Sequence, residues 1–166
     1  CVGIIYGFGV QFFEFFYKLK NVYGAELYEH LKGWDDSLMD YNPDYNQFPS
    51  ICVSTFAICI GVFVLFYYLL NSPRFNRWWS WLIMLIIVGA SAFGWGYQVV
   101  NTDIVSQSIA PSLIAKIGSL NATMFGLYNM VLAAIIFFVL TLALRHWSKN
   151  CKHSPWTSLF TRINRK

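Results

Sequence analysis

Charge is the scarcest commodity in this chain. Asp, Glu, Lys and Arg make up 12% of its 166 residues, where a soluble domain carries about 25%. Hydrophobic residues reach 57%, and about half of the length falls in long apolar runs, which leaves no room for a soluble catalytic domain. Histidine is nearly missing as well: His30, His146 and His153 all lie outside the apolar runs, so no imidazole stands at depth to ligate haem or act as a base. There is no H-E-x-x-H helix for zinc, no Gly-rich phosphate loop, and no serine in a span with a base beside it. The sequence therefore reads as non-enzymatic, with no cofactor and no metal. Cysteine is too sparse for a disulfide framework. Cys52 and Cys59 stand seven residues apart in one apolar run, too far along a helix axis to bridge. Cys151, among lysines, reads as a free thiol before it reads as a palmitoylation site.

What the chain does have is hydrocarbon. Residues 51–70 are uncharged, and as a helix they would measure about 30 Å, the thickness of a bilayer's apolar core. A second uncharged run covers 78–100, a third covers 124–144 broken only by Asn129 and Thr141, and a shorter apolar stretch covers 1–18, with Gln11 and Glu14 inside it and Lys18 at its end. The runs 51–70 and 78–100 lack the polar face that a water-soluble helix needs, and the polar face of the shorter run is narrow. The expected fold is an all-α integral membrane protein, a four-helix bundle spanning about 1–18, 51–70, 78–100 and 124–144. Residues 1–150 form the transmembrane domain and 151–166 a basic tail.

The ionic residues are sorted along the chain. Arg74 and Arg77 sit between the second and third runs; Arg145, Lys149, Lys152, Arg162, Arg165 and Lys166 follow the last, with no acid among them. Glu26, Glu29, Asp35, Asp36, Asp40 and Asp44 all lie in the connection 21–50. Cytoplasmic segments collect Lys and Arg, so both termini and the 71–77 turn are expected in the cytoplasm, with one long acidic loop outside. The net charge of +4 is thus a topology signal and not a nucleic-acid surface. Trp78, Trp79 and Trp81 stand just past Arg77, at the headgroup level that indole prefers. The expected location is an inner or plasma membrane, crossed several times.

Inside the loop, AELYEHLK (25–32) is expected to be helical, with Gly33 ending it. Asp40, Asn42 and Asp44 imitate the first ligands of a calcium loop. Tyr45 replaces the required Gly, however, and Ile51 the terminal Glu, which favours a solvated acidic loop. His30 with nearby carboxylates reads as solvated before it reads as a metal site. In 101–122, Val105, Ile109, Leu113, Ile117 and Leu120 recur at near-helical spacing and Pro111 could open a helix. A short interfacial helix outside is preferred over a re-entrant segment. Asn121-Ala122-Thr123 is a glycosylation sequon close to the membrane.

Gly3, Gly7, Gln11, Glu14 and Lys18 share one stripe of the first run. The GxxxG pair admits a neighbouring helix, and Gln11 and Glu14 can hydrogen-bond across the contact. An intramembrane carboxylate can equally line an ion path. Ala57 and Gly61, with Ala90, Ser91, Gly94 and Gln98, make slim positions on the second and third runs that suit close packing or border a cavity. The preferred reading is a membrane-embedded subunit or scaffold, a homo-oligomer or part of a larger membrane complex, whose basic tail meets a partner or anionic lipid. The alternative is a homo-oligomeric ion channel with the Gln11/Glu14 stripe on its axis.

Overall fold

A computed structural model describes residues 15, 17–18, 21–69 and 78–144. These residues are predominantly helical, and three of the helices are long and apolar enough to cross a membrane. The first expected span, 1–18, lies outside the described residues except for Phe15, Tyr17 and Lys18.

Helix α1, Ala25–Leu31, buries Leu27, Tyr28, His30 and Leu31. It ends where Gly33 takes φ +92° and donates to the His30 carbonyl; a Cβ there would stand 2.4 Å from the carbonyl oxygen of Asn42, so the turn requires glycine. Strands β1 (Trp34–Asp35) and β2 (Asp40–Tyr41) pair antiparallel, Trp34 opposite Tyr41 and Asp35 opposite Asp40. A 3₁₀ turn, Pro43–Tyr45, follows, capped by Asn42. Asn42 N–H then donates to Gly33 O and Gln47 N–H to Leu31 O, which folds this segment back on α1.

Helix α2 runs Phe48–Val64 and widens into a π-helical turn over Leu65–Leu69. Helix α3 is Trp78–Val105, α4 is the single turn Pro111–Ile114, and α5 is Ser119–Leu144. The long helices overrun the apolar segments from which they were read. α2 starts at Phe48 instead of 51, α3 continues past 100 to Val105, and α5 begins at Ser119 instead of 124. Backbone hydrogen bonding does not stop where hydrocarbon stops, and polar turns such as Asn101-Thr102-Asp103 extend a helix that apolarity alone would end. The surface helix expected within 101–122 is only α4, with Pro111 in its first turn. Its apolar set divides accordingly: Ile109, Leu113 and Ile117 are buried, while Val105 and Leu120 are exposed.

The chain forms two compact units, Cys1–Thr55 with Phe93–Asn129, and Phe56–Ala92 with Met130–Lys166. The first contains the start of α2, the end of α3 and the start of α5 together with the connections 21–47 and 106–118. Its core is aromatic: the Tyr17 ring lies 5.3 Å from Phe48 and 5.8 Å from Phe125, and Tyr23 meets Phe125 edge-on at 5.2 Å. In the same unit α3 and α5 approach through glycine. A Cβ on Gly126 would stand 3.0 Å from the Phe93 ring and 3.1 Å from its carbonyl oxygen, and one on Gly96 would stand 3.2 Å from Asn129 Cβ. The second unit packs Cys59, Phe63, Phe66, Tyr67, Val88, Ala92, Ala133 and Phe137 together. Trp81 Nε1–H donates to Thr141 Oγ1 at 3.2 Å there, which gives the polar threonine a partner in an apolar setting.

Gly126→Val should force α3 from α5 and destabilise the detergent-solubilised protein by about 1–3 kcal/mol, as overpacking does. Gly94→Ala meets nothing within 4 Å and should be neutral or stabilising by up to about 1 kcal/mol. Thermal unfolding of the two variants side by side checks the contrast.

Candidate functional site

Polar side chains gather at two places in the first unit. At the first, Asn129, wholly buried, interrupts an otherwise apolar stretch of α5. Tyr17 Oη–H donates to its Oδ1 at 2.7 Å. The Thr55 hydroxyl, from α2, lies 3.1 Å from Nδ2, from which it accepts, and 3.2 Å from Oδ1. Gly96 on α3 leaves the space the amide occupies, since a Cβ there would come within 3.4 Å of Nδ2. Tyr23 donates its hydroxyl proton to the Tyr17 carbonyl, and burial holds that phenol well above its ordinary pKa. An amide in apolar surroundings costs free energy unless bonded. Asn129 thus joins α2, α5 and Tyr17 into one register.

At the second, a cleft of about 430 Å³ opens among His30, Gly33, Trp34, Asp44, Tyr45, Asn46, Gln47, Ser50 and Ser108. Asp103, from the last turns of α3, anchors its wall. Its Oδ2 lies 2.9 Å from His30 Nε2 and accepts from Gln47 Nε2 at 2.7 Å, while Oδ1 accepts from Ser108 Oγ at 3.3 Å. The contact with His30 is an ion pair when the imidazole is protonated. Ser108 engages the carboxylate and not the imidazole, so the cluster lacks the nucleophile–base contact of an acyl-transfer site. It is built as a clamp, one carboxylate holding α1 and the segment before α2 to the end of α3.

Two further ties hold the connections 21–47 and 106–118 together. Asp36 accepts from Ser112 Oγ at 2.6 Å and from Ser112 N–H at 3.1 Å. The Ser112 hydroxyl, its amide and then Trp34 Nε1–H hold the Asp36 carboxyl below the usual carboxylate range. Asn121 Nδ2 donates to Tyr23 O at 2.9 Å and its Oδ1 accepts from Gly118 N–H, so the sequon asparagine is engaged in the fold.

The residues singled out from sequence are placed as follows. Gly3, Gly7, Gln11 and Glu14 lie outside the described residues, and Lys18 is an exposed turn residue. Ala57, Gly61, Ala90, Ser91, Gly94 and Gln98 are all exposed, and Gly61 and Gly94 have nothing within 4 Å of an added Cβ. Among the described residues, the small residues buried between helices include Gly89, Ala92, Gly96 and Gly126. Arg74, Arg77, Arg145, Lys149, Lys152, Arg162, Arg165 and Lys166 lie outside the described residues. Asp40 Oδ1 and Asn42 Oδ1 accept from the amides of Tyr41 and Asp44. His30, read as solvated, is buried against Asp103. Asp103, Gln47, Thr55 and Tyr17 were missed as a set. The available signal was isolation at Asn129, a lone polar residue in an apolar stretch where an unpaired group would be costly, whereas Asp103 sits in the polar run Asn101-Thr102-Asp103 and carried no such signal. Comparison with protein-family models, curated proteins and solved structures returns no match.

Asp103→Ala would strip His30 and Gln47 of their acceptor, costing about 1–3 kcal/mol. The expected readout is faster amide exchange in α1 and residues 42–47, with exchange around Phe125 and Asn129 unaffected. Because the folded Asp36 carboxyl titrates below its ordinary value, its contribution is complete at neutral pH and fades as pH falls through that lowered value. Protection of the Ser112 amide should therefore hold at pH 7 and drop on acidification, and Asp36→Asn should flatten the dependence.

Proposed function

We propose that this chain is a multi-pass membrane protein acting as a membrane-embedded subunit or scaffold, with a folded cap over residues 21–47 and 106–118 displayed on the non-cytoplasmic side. The observation that carries the reading is that the acidic connection is built and not merely solvated. It is tied to helix ends through His30 and Gln47 on Asp103, through Asp36 on Ser112 and through Tyr23 on Asn121. A connection that only joins two spans needs no such ties, because loops tolerate irregular, hydrated backbone. A surface held this firmly is suited to presenting a fixed shape to another molecule.

The charge sorting supports the orientation. Cap acids stand at the start of α2, and Arg74, Arg77 and the cations from Arg145 onward follow the far ends of α2 and α5. The start of α2, the end of α3 and the start of α5 share one unit, as alternating passes through a bilayer require. On the cytoplasmic side the tail adds roughly 1 kcal/mol per Lys or Arg near an anionic surface, which supports contact with lipid or an acidic partner.

Exposed apolar side chains run along each long helix, among them Val53, Phe56, Ile60 and Val64 on α2, Ile83, Ile86 and Ile87 on α3, and Val131, Ile135 and Val139 on α5. Lipid and neighbouring helices both fit such surfaces. A subunit should leave the membrane in mild detergent as a particle heavier than one chain with its detergent belt. Light-scattering mass after gentle solubilisation checks this. A single-chain particle at every detergent concentration and in native membranes after cross-linking would count against the reading.

A further inference from the structure

The hairpin β1–β2 ends in a tip whose composition its own fold does not require. Leu38 is 62% exposed and Met39 82%, although both are apolar and the cap has a buried core available. Met39 also sits at φ +51°, a backbone region that costs any residue with a Cβ and that Gly or Asn would occupy more cheaply. Hydrogen bonds and ring contacts nevertheless brace the turn beneath the tip. Asp35 Oδ1 accepts from Ser37 N–H at 2.8 Å and from Ser37 Oγ at 2.6 Å. Trp34 Nε1–H donates to Asp36 Oδ1 at 2.9 Å, and the Trp34 ring meets Tyr41 edge-on at 5.4 Å. Ser112 on α4 grips Asp36 from outside the hairpin, and Lys32 Nζ lies 4.2 Å over the Tyr41 ring. Exposed apolar side chains on a hydrogen-bonded turn are the elements of a contact in which the backbone has little conformational freedom left to lose on binding.

We propose that Leu38 and Met39 form a docking tip that enters an apolar pocket rimmed by basic side chains on a different protein. The charge around the tip selects the partner. Asp35, Asp36 and Asp40 all lie within two or three residues of it, and hydrogen bonds from Ser37 and Ser112 hold the Asp35 and Asp36 carboxyls below the usual range, so both are anionic at neutral pH. An anionic phospholipid surface repels such a hairpin, whereas Lys and Arg around a pocket complement it. A second copy of this chain fits poorly, because its cation clusters at 71–77 and from Arg145 onward belong to the opposite side of the membrane in the proposed topology. The proposal rests on the subunit reading and adds the contact point and the chemistry of the partner.

The test uses the full chain in intact cells with photoreactive benzoylphenylalanine at position 38. The expected result is one discrete protein adduct whose cross-linked peptide combines apolar residues with flanking Lys or Arg. Asp40→Asn keeps the acceptor that Asp40 offers to Tyr41 N–H but removes its charge, and should lower adduct yield several-fold. Met39→Gly relaxes the backbone, so it should keep or raise thermal stability while lowering the yield about tenfold. Adducts to phospholipid alone, adducts to a second copy, or yield indifferent to both substitutions would each overturn the proposal. If foreign chains co-purify but no adduct forms at position 38, the docking tip is wrong and the subunit reading stands. If the particle is one chain alone, the subunit reading itself fails.

Discussion

The wholly buried amide of Asn129 sets the terms for the first unit. Helices in an apolar medium gain nothing from hiding apolar surface against one another, so their association depends on close approach and on polar groups that find each other. Both devices meet at this residue. Gly96 leaves the volume into which the amide fits, and Gly126 lets α3 pass close to α5. Tyr17 and Thr55 supply its hydrogen bonds, so three separate stretches of chain are aligned by one side chain. The partnering of Trp81 with Thr141 in the second unit follows the same logic: a lone polar group in an apolar helix acts as a fastening point.

The cap extends that logic into a wetter setting. Asp103 gathers His30 and Gln47, Asp36 gathers Ser112 and Trp34, and Asn121 holds the Tyr23 carbonyl. Acids of the connection 21–50 thus divide into those that fasten and those that stay at the surface. Asp36 is spent on a tie, whereas Asp40 and Asp44 remain exposed with only local backbone contacts. The negative charge concentrated in this segment is therefore also part of its architecture.

Much of the helical framework was legible because apolar runs of 20 residues or more have few alternative conformations. α2, α3 and α5 lie where those runs lie, and α1 with its glycine stop follows from local chemistry at 25–33. The helix ends were not legible, since polar turns continue each helix past its apolar part. Nor were the partners of polar residues: His30 and Asp103 are 73 residues apart, Tyr17 and Asn129 are 112 apart, and no local pattern encodes such a meeting. Which small residues are buried among the described helices is not legible from type alone. Ala90, Ser91 and Gly94 point outward while Gly89, Ala92 and Gly96 are buried, a difference of one or two positions, which on a helix amounts to roughly 100–200° of rotation.

Sidedness is the premise on which the proposed role turns. Leu38→Cys at the exposed hairpin tip and the native Cys151 of the basic tail offer two labelling sites, while Cys52 and Cys59 are buried. With Cys1 replaced by Ser, a membrane-impermeant maleimide applied to intact cells should label position 38 at once and Cys151 only after the membrane is opened. Equal labelling of both sites from the same face, or recovery of the protein in the aqueous fraction, would contradict the account.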